Sequence, residues 1–478
     1  MYQPQVLAYL QHVARRHDLY KDIMFETALT GAQWNESSSR WTIQTSTGTN
    51  FTARYLITSL GLLSKQNFPD IAGIDSFRGE KYHTGAWPVG VDLKEKRVGV
   101  IGNGSTGVQV ITAIAKDVKR LVSFQRNPQF SVPSGQGPVT KEYRDHINDN
   151  YQQIWKDVKD NSAFGFGLKE TSRPTFSVSP EEREEIYEAA WKKGGGFRFM
   201  FETFGDISFD EAANDEAANF IKNKIKQTVK DPEKARKLTP TQLYARRPLC
   251  DAGYYEQFNR ENVDVVSLHD TPIDCITPKG IKTSDGLEHE LDVLIFATGF
   301  DAVDGNYTRL AIQGVGGKTL KDHWAHGPTS YLGISVADFP NMFMILGPNG
   351  PFCNIPPAIE SHVEVISDLI AFAEQGGQGE KALPRTNERH DSFVNGGSNG
   401  AGTQKPVIRA TAEAEEGWTK VCDEVSASSL FRRTDSWIFG ANIKGKANVV
   451  MFYFGGLGAY RKQLREIAAD GWKGFAIK

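Results

Sequence analysis

The hexapeptide Gly102-Asn103-Gly104-Ser105-Thr106-Gly107 directly follows an apolar, strand-like run at 97–101 and directly precedes a helical pattern at 105–117. A further strand signal at 120–126 closes a strand, Gly-rich turn, helix and strand within about 30 residues, a βαβ unit. In that setting each glycine has a task in holding a dinucleotide. Gly102 permits the tight turn, Gly104 lets the backbone approach a pyrophosphate, and Gly107 lets the helix pack closely on the strand. The amino-terminus of the helix offers unpaired N–H groups to the anion. The end of the second strand selects the nucleotide. An acidic residue there would accept from the ribose 2′-hydroxyl of NAD, whereas this chain has Gln125-Arg126, and an arginine suits a 2′-phosphate. NADPH is therefore the expected ligand.

The elements around this unit are read from apolar spacing. Val6, Leu7, Leu10, Val13 and Ala14 predict a helix before His17, and strands are expected at 23–29, 41–47 and 51–60. A Gly/Pro-punctuated stretch follows at 61–90. Residues 140–244 turn charged and helical, with patterns at 141–159 and 180–192, and read as a helical insertion. Strand signals return over 263–300, and the Gly/Asn/Pro-rich segment 376–406 predicts a flexible surface loop. Residues 48–61 (GTNFTARYLITSLG) and 286–299 (GLEHELDVLIFATG) resemble one another: each pairs an edge strand with an apolar strand ending at a glycine, as if closing a nucleotide-binding sheet. The second copy closes the unit opened at Gly102. No GxGxxG precedes the first, and Gly194-Gly195-Gly196 is no substitute because it follows a helical stretch. The chain is thus expected to start inside a domain, to hold FAD poorly and to leave sheet edges exposed.

Composition excludes other classes. With 55 basic and 58 acidic side chains among 478 residues and a net charge of −3, the chain has no basic cluster for nucleic acid. Its mean hydropathy of −0.42 fits an ordinary soluble enzyme, and no apolar stretch approaches the roughly 20 residues of a bilayer span. Residues 1–12 show no basic segment followed by an apolar core, and the final Phe-Ala-Ile-Lys matches no targeting tag, so a cytoplasmic location is expected. Cys250, Cys275, Cys353 and Cys422 are far apart and have no zinc-type spacing, so no metal is expected and reduced thiols fit best.

The segment from Phe77 onward, FRGEKYHTGAWP, matches the pattern FxGxxxHxxxWP through Phe77, Gly79, His83, Trp87 and Pro88. On this pattern the chain resembles the Baeyer–Villiger monooxygenases, flavoproteins that insert one oxygen atom of O2 beside a ketone carbonyl. The resemblance runs nearly end to end, through 104–113, 194–207, 246–263, 297–307, 346–352 and 436–446. It implies an α/β fold with two Rossmann-like dinucleotide-binding domains, one for FAD and one for NADPH, with a helical insertion between them. The divisions expected are 1–70 for the first part of the FAD domain, incomplete at its amino-terminus, 71–139 and 251–300 for the NADPH domain, 140–250 for the insertion, and 301–478 for the return to the FAD domain. Two departures stand out: the family's amino-terminal FAD fingerprint, with an acidic residue that pairs with the active-site arginine, has no counterpart here, and the 376–406 loop is long.

Carried over residue by residue, the resemblance makes Arg247 the catalytic arginine, a fixed guanidinium that stabilises the anionic oxygen nucleophile and its ketone adduct. It assigns Ser105, Thr106 and Gln109 to the nucleotide site beside the three glycines, and Arg126 with Arg246 to the 2′-phosphate. It gives Trp437 an indole hydrogen bond to NADP+, and Leu29, read as a strand end, a backbone contact to the FAD adenine. Phe197, Phe352, Cys353, Ile355 and Phe452 become the substrate wall, though plain core packing would use the same residue types. His83 is read as structural. The expected partners are a small ketone and O2, with the chain acting as a monomer. Two alternatives stay open: a flavin N- or S-oxygenase, and a nucleotide-binding remnant without flavin or turnover.

Overall fold

The computed structural model describes residues 3–376 and 406–478. Helix α1 (Gln3–Arg16) forms on the expected spacing, and Arg15 and Arg16 in its last turn complement the helix dipole. Val6, Leu7 and Leu10 on it are exposed. The strand expected at 23–29 does not form. Leu19–Asp22 makes a single 3-10 turn, and Ile23, Met24 and Phe25 beyond it are exposed and have no cross-strand neighbours to favour extended backbone. Strands β1 (Leu29–Asn35), β2 (Arg40–Thr45) and β3 (Asn50–Ala53) form an antiparallel meander in which Trp34 lies opposite Trp41. Leu29 therefore opens a strand and does not end one. The expected strand 51–60 is two: Arg54 and Tyr55 carry the chain out of the meander into β4 (Leu56–Thr58), which joins a different, parallel sheet.

The Gly/Pro stretch hides β5 (Glu80–His83), whose Glu-Lys-Tyr-His sequence lacks an apolar run because it lies at a sheet edge. Strand β6 (Arg97–Ile101), helix α2 (Ser105–Ile114) and β7 (Arg120–Gln125) form the βαβ unit, with a turn carrying α2 on to Asp117. After β8 (Ser131–Pro133) come α3 (Lys141–Asp149), α4 (Tyr151–Asp160), α5 (Pro180–Lys193), α6 (Gly196–Phe201), α7 (Glu211–Thr228) and α8 (Pro232–Leu238). The single helix expected at 141–159 is broken at Asn150, whose side chain donates to the His146 carbonyl (2.8 Å) and competes with the helical ladder. Strand β9 (Leu249–Asp251) runs beside β8, and α9 (Tyr254–Gln257) leads to β10 (Val263–Ser267).

A second meander, β11 (Ile273–Thr277), β12 (Gly280–Thr283) and β13 (Glu288–Glu290), precedes β14 (Val293–Phe296). The internal similarity is thus physical: each copy is the last strand of a meander followed by a strand of a parallel sheet. The sheet order is β10-β7-β6-β14-β5, all parallel, a Rossmann-like arrangement. All four residues of β14 are buried, as a strand covered on both faces requires. Arg97 fixes the start of β6 by a two-pronged contact to Asp292, Nε–Oδ2 3.2 Å and Nη2–Oδ1 2.8 Å. Strand β15 (Ala311–Gln313) adds to the first meander beside β1, α10 (Leu320–His323) follows, and β16 (Met342–Met344) pairs in parallel with β4. Helices α11 (Ile355–Glu374), α12 (Ala412–Ala427) and α13 (Leu457–Ala469) complete an α/β architecture. The loop expected at 376–406 lies, apart from its two end residues, outside the described residues.

His362 on α11 is fully buried, and its Nδ1 accepts the Leu346 N–H (3.0 Å). Burial pushes its pKa down from 6.5 to about 3, so the ring is neutral in the fold. Below pH 6.5 the unfolded chain binds a proton that the folded chain refuses, so stability present above that pH is lost as pH falls toward about 3. His362→Gln should therefore show a shallower acid limb than the parent, by up to ~1.4 kcal/mol per pH unit. Urea midpoints between neutral and moderately acidic pH measure this, and parallel curves would remove His362 from the acid sensitivity.

Candidate functional site

The turn after β6 is shaped by contacts that only glycine allows. Gly102 has φ +101°, and a Cβ there would lie 2.4 Å from the Ala297 carbonyl oxygen. A Cβ on Gly107 would lie 2.2 Å from the Gly102 carbonyl oxygen, so α2 rests directly on the turn. At Gly104 a Cβ would meet nothing within 4 Å. Gly104 is also the N-cap of α2 and makes no side-chain capping bond, so open space lies in front of the first turn of the helix. That combination fits a pyrophosphate. Asn103 donates to Gln125 Oε1 (2.8 Å) and Gln125 donates to the Lys237 carbonyl (2.6 Å), which spends Gln125 on fixing the turn.

Arg126 follows at the end of β7, exposed, and its charge reaches Arg246. The pKa of Arg246 is pulled below the usual arginine value, first by desolvation and then by Arg126, with Asp435 acting in the opposite sense. Its Nε is buried without a hydrogen-bond partner. Two cations held near one another, one with a donor to spare, fit a phosphate dianion. Gln109 lies exposed on α2, and Ser105 and Thr106 are half-buried in its first turn.

Arg247 faces a cavity of about 250 Å³. The carried-over wall residues Phe197, Phe352, Cys353, Ile355 and Phe452 all line it, as does Trp437. The sequence reading missed Leu62, Leu63, Phe166 and Leu346, which line it too. Arg247 is the one charged side chain among these lining residues. Its Nη1 donates to Ser105 Oγ (3.0 Å), and its guanidinium carbon lies 5.8 Å from the centre of the Phe197 ring. Although the side chain opens onto the cleft, the surrounding protein desolvates the guanidinium and lowers its pKa from the usual arginine value. Arginine remains charged throughout the working range. Burial pushes the Cys353 thiol up to about 12, so it is protonated and acts as a small apolar wall group.

The flavin ring can be tested against the same cavity. Leu346 and Asn349 have positive φ (60° and 61°), and a Cβ on Gly333 would lie 2.5 Å from the Gly350 Cα. The loop these turns produce lines the cavity and leads into the amino-terminus of α11 at Ile355. Leu346, Gly347, Gly350 and Pro351 of that loop, with Asn354 before the helix, are the residues that would lie against a flavin ring bound in this cleft. For the far end of FAD, no second strand, Gly-rich turn and helix unit of the 97–125 type occurs among the described residues, and Leu29 at the start of β1 does not line the cavity.

One part of the site had no signal in the sequence. Lys446 donates to Asp301 Oδ1 (2.7 Å) and to the Ala302 carbonyl (2.8 Å) and pairs with Asp304, while Lys65 takes Asp301 Oδ2 (2.8 Å). Asn442 donates to the Phe300 carbonyl (2.9 Å). These contacts tie the segment carrying Trp437 to the chain just after β14. The FxGxxxHxxxWP residues lie outside the cavity lining. Phe77 and His83 are buried, His83 Nδ1 accepts the Gly85 N–H (3.0 Å), and its ring packs on Phe68 and Phe300. Gly79 is required because a Cβ would lie 2.4 Å from the Asp292 carbonyl oxygen, and Trp87 and Pro88 are exposed. Among the described residues no group of His, Cys, Asp and Glu could hold a metal ion, and no helix is long and apolar enough to cross a membrane.

The model of the flavin-binding monooxygenase-like family matches residues 1–132. A phenazine N-monooxygenase, PhzNO1 of Lysobacter antibioticus, is 49% identical over 475 residues, covering 99% of this chain and 83% of that protein. A Baeyer–Villiger monooxygenase of Pseudooceanicola batsensis is 49% identical over 471 residues, covering 98% and 81%. The crystal structure of cyclohexanone monooxygenase from Rhodococcus sp. Phi1 bound to NADP+ superposes with a TM-score of 0.92 at 51% identity, covering all of this chain and 85% of that one.

Proposed function

The chain belongs to the Baeyer–Villiger group of flavin-binding monooxygenases, and from that membership we propose how its own residues divide the reaction. The enzyme uses NADPH and O2 to convert ketones into esters or lactones. FAD, when bound, supplies the reduced ring at which O2 is activated. Arg247 stabilises the negative charge that develops on oxygen as the ketone is attacked. Its setting supports this role: it is the one charged side chain lining a largely apolar cavity, and the surrounding protein partly desolvates its guanidinium. That is the observation on which the proposal rests. The Phe197, Phe352, Ile355 and Phe452 wall with the Cys353 thiol orients the ketone and excludes water. The largely apolar lining favours an uncharged ketone.

Gly102 to Gly107 hold the nucleotide pyrophosphate, Arg126 and Arg246 its 2′-phosphate, and Trp437, on the segment pinned by Lys446, donates its indole N–H to the nucleotide. The sheet formed by β5, β6, β7, β10 and β14 supports an NADPH domain drawn from 71–139 and 251–300 around the 140–250 insertion, with 1–70 and 301–478 assigned to FAD. Four unpaired thiols favour a reducing compartment such as the cytoplasm.

Similarity to an N-oxygenase gives heteroatom oxygenation a specific claim as a second activity. The cation in the cleft favours attack on a carbonyl, because a developing oxyanion gains from Arg247 what a neutral amine does not. Purified enzyme with FAD and NADPH, offered a small cyclic ketone or a nitrogen heteroaromatic in separate reactions, tests this. Lactone as the main product supports the reading, whereas N-oxide alone would overturn it. Arg126→Ala should raise the Michaelis constant for NADPH by ~10–100-fold, a lost charged contact being worth about 1.5–3 kcal/mol, with little effect on NADH. An unchanged NADPH to NADH ratio would remove Arg126 from the 2′-phosphate site.

A further inference from the structure

Helix α4 ends at Lys159-Asp160, and these two neighbours close a ring of charge with two helices far along the chain. Lys159 Nζ donates to Glu364 Oε1 (2.9 Å) and lies 3.5 Å from Glu360 Oε2, both on α11. Glu364 Oε2 accepts from Arg461 Nη1 of α13 (2.8 Å). Arg461 Nε returns to Asp160 Oδ1 (3.3 Å), which Arg465 Nη1 also reaches (3.1 Å). Trp155 adds an indole donor from α4 to Glu360 Oε2 (2.9 Å). Desolvation pushes the Asp160 and Glu364 carboxyls up, but Arg465 with Arg461 at the first and Arg461 with Lys159 at the second outweigh it and hold both below the usual carboxylate range.

Such a ring fixes geometry more than it adds stability. Taking ions out of water costs about what their attraction returns, so an apolar replacement of matching shape is often neutral, whereas directional bonds to two helices hold only when all three are in place. The packing is correspondingly close: a Cβ on Gly458 of α13 would lie 2.4 Å from the Asp160 carbonyl oxygen. Just beyond the ring, the chain runs along the starts of the same two helices. The N–H of Leu457, first residue of α13, donates to the Ala163 carbonyl (2.8 Å). Asn354, the N-cap of α11, donates its backbone N–H to the Phe164 carbonyl (2.8 Å) and its side-chain amide to the Gly165 carbonyl (3.0 Å). The next residue is Phe166, which lines the cleft with its ring centre 4.5 Å from that of Phe197. Neither Lys159 nor Asp160 lines the cleft.

Resting on the ketone-oxygenase reading above, we propose that the Lys159–Glu364–Arg461–Asp160 ring is a brace that places Phe166, so that Lys159 and Asp160 are positioning residues for ketone selection from outside the cleft. With α4 locked to α11 and α13, the Phe166 ring stands as a fixed wall beside Phe197 and turns away ketones with bulk on that side. With the ring opened, residues 161–167 keep their backbone bonds but lose the anchor behind them, and Phe166 yields to a larger substrate.

The test compares the FAD-containing parent with Lys159→Met/Asp160→Asn, Phe166→Ala and the triple variant. The paired substitutions remove the charges of α4 from the ring at nearly constant shape. The quantity read is the ratio of kcat/KM for an unsubstituted cyclic ketone to that for the same ring bearing a phenyl group, at saturating NADPH. The paired variant should lower this ratio at least about fivefold, somewhat less than a methylene group commands in an apolar pocket, through KM and with kcat for the unsubstituted ketone kept within about twofold. A parental ratio would overturn the proposal. In the Phe166→Ala background the same pair should leave the ratio unchanged, because the wall it places is gone, and an equal fall in both backgrounds would also overturn it. Hydrogen exchange supplies a readout without turnover. The Phe164 and Gly165 amides, which donate to Glu170 Oε1 (3.1 Å) and Ser162 Oγ (2.9 Å), should exchange at least about fivefold faster in the paired variant, and parental exchange there would contradict the brace. Should the paired variant not fold, Lys159→Met alone carries the same comparisons. A parent that oxidised neither ketone would sink the ketone reading, and the exchange rates would still decide the brace.

Discussion

Arg247→Ala should lose ester formation by ~10²–10³-fold while the reduction of flavin by NADPH survives in large part. The asymmetry follows from where the charge is needed. Two unit charges about 4 Å apart interact by ~4 kcal/mol at an effective dielectric constant of ~20, which is about three decades of rate, and this applies only once oxygen carries negative charge. Hydride delivery from the nucleotide creates no such charge on the ketone. Among the described residues the cavity wall holds no second cation, and its polar Asn354 donates its side-chain amide to the Gly165 carbonyl (3.0 Å). Reducing equivalents should then leave as hydrogen peroxide. Stopped-flow absorbance separates the reduction step from the oxygenation step, and product analysis measures the ester. Normal lactone yield from the variant would remove Arg247 from the mechanism.

Gly107→Ala should abolish measurable nucleotide binding and destabilise the fold. The added methyl would sit 2.2 Å from the Gly102 carbonyl oxygen and 2.9 Å from its carbon, both backbone atoms of the turn, so helix α2 must withdraw from β6. Overpacking of this kind costs ~1–3 kcal/mol, and withdrawal carries the phosphate-facing N–H groups out of place. Gly104→Ala provides the contrast. Its methyl would meet nothing within 4 Å, so the fold and melting temperature should be kept while nucleotide affinity falls, because the methyl occupies the approach of the pyrophosphate. Thermal melts and NADP+ titrations on the two variants check both statements. Parental nucleotide affinity in Gly107→Ala would contradict the assignment of this turn.

The parts of the molecule that were readable in advance are those where chemistry is local in the chain. The strand, turn and helix from Arg97 to Ile114 announce themselves because the apolar run, the glycines and the helical spacing are contiguous. The similarity between 48–61 and 286–299 was readable for the same reason, although the break at Arg54 and Tyr55 was not, since both halves of 51–60 have strand-like composition. Strand β5 was missed because an edge strand needs no apolar face, and residues 23–29 misled because an apolar run without a partner strand remains a turn. The wall of the cavity is legible through family resemblance and not periodicity, and Phe166 lies in an irregular, Gly-rich stretch with no period to mark its face. Contacts such as Lys446 with Asp301, or Arg247 with Ser105, join residues more than a hundred positions apart and leave no trace in spacing.

The most direct measurement of the central claim supplies the FAD-containing enzyme with NADPH, a small cyclic ketone and isotopically labelled O2. The account predicts a lactone carrying one labelled oxygen atom in its ring, formed in step with NADPH consumption and reduced to traces in Arg247→Ala. Unlabelled lactone, or NADPH consumed by the parent enzyme with peroxide as the sole product, would contradict it.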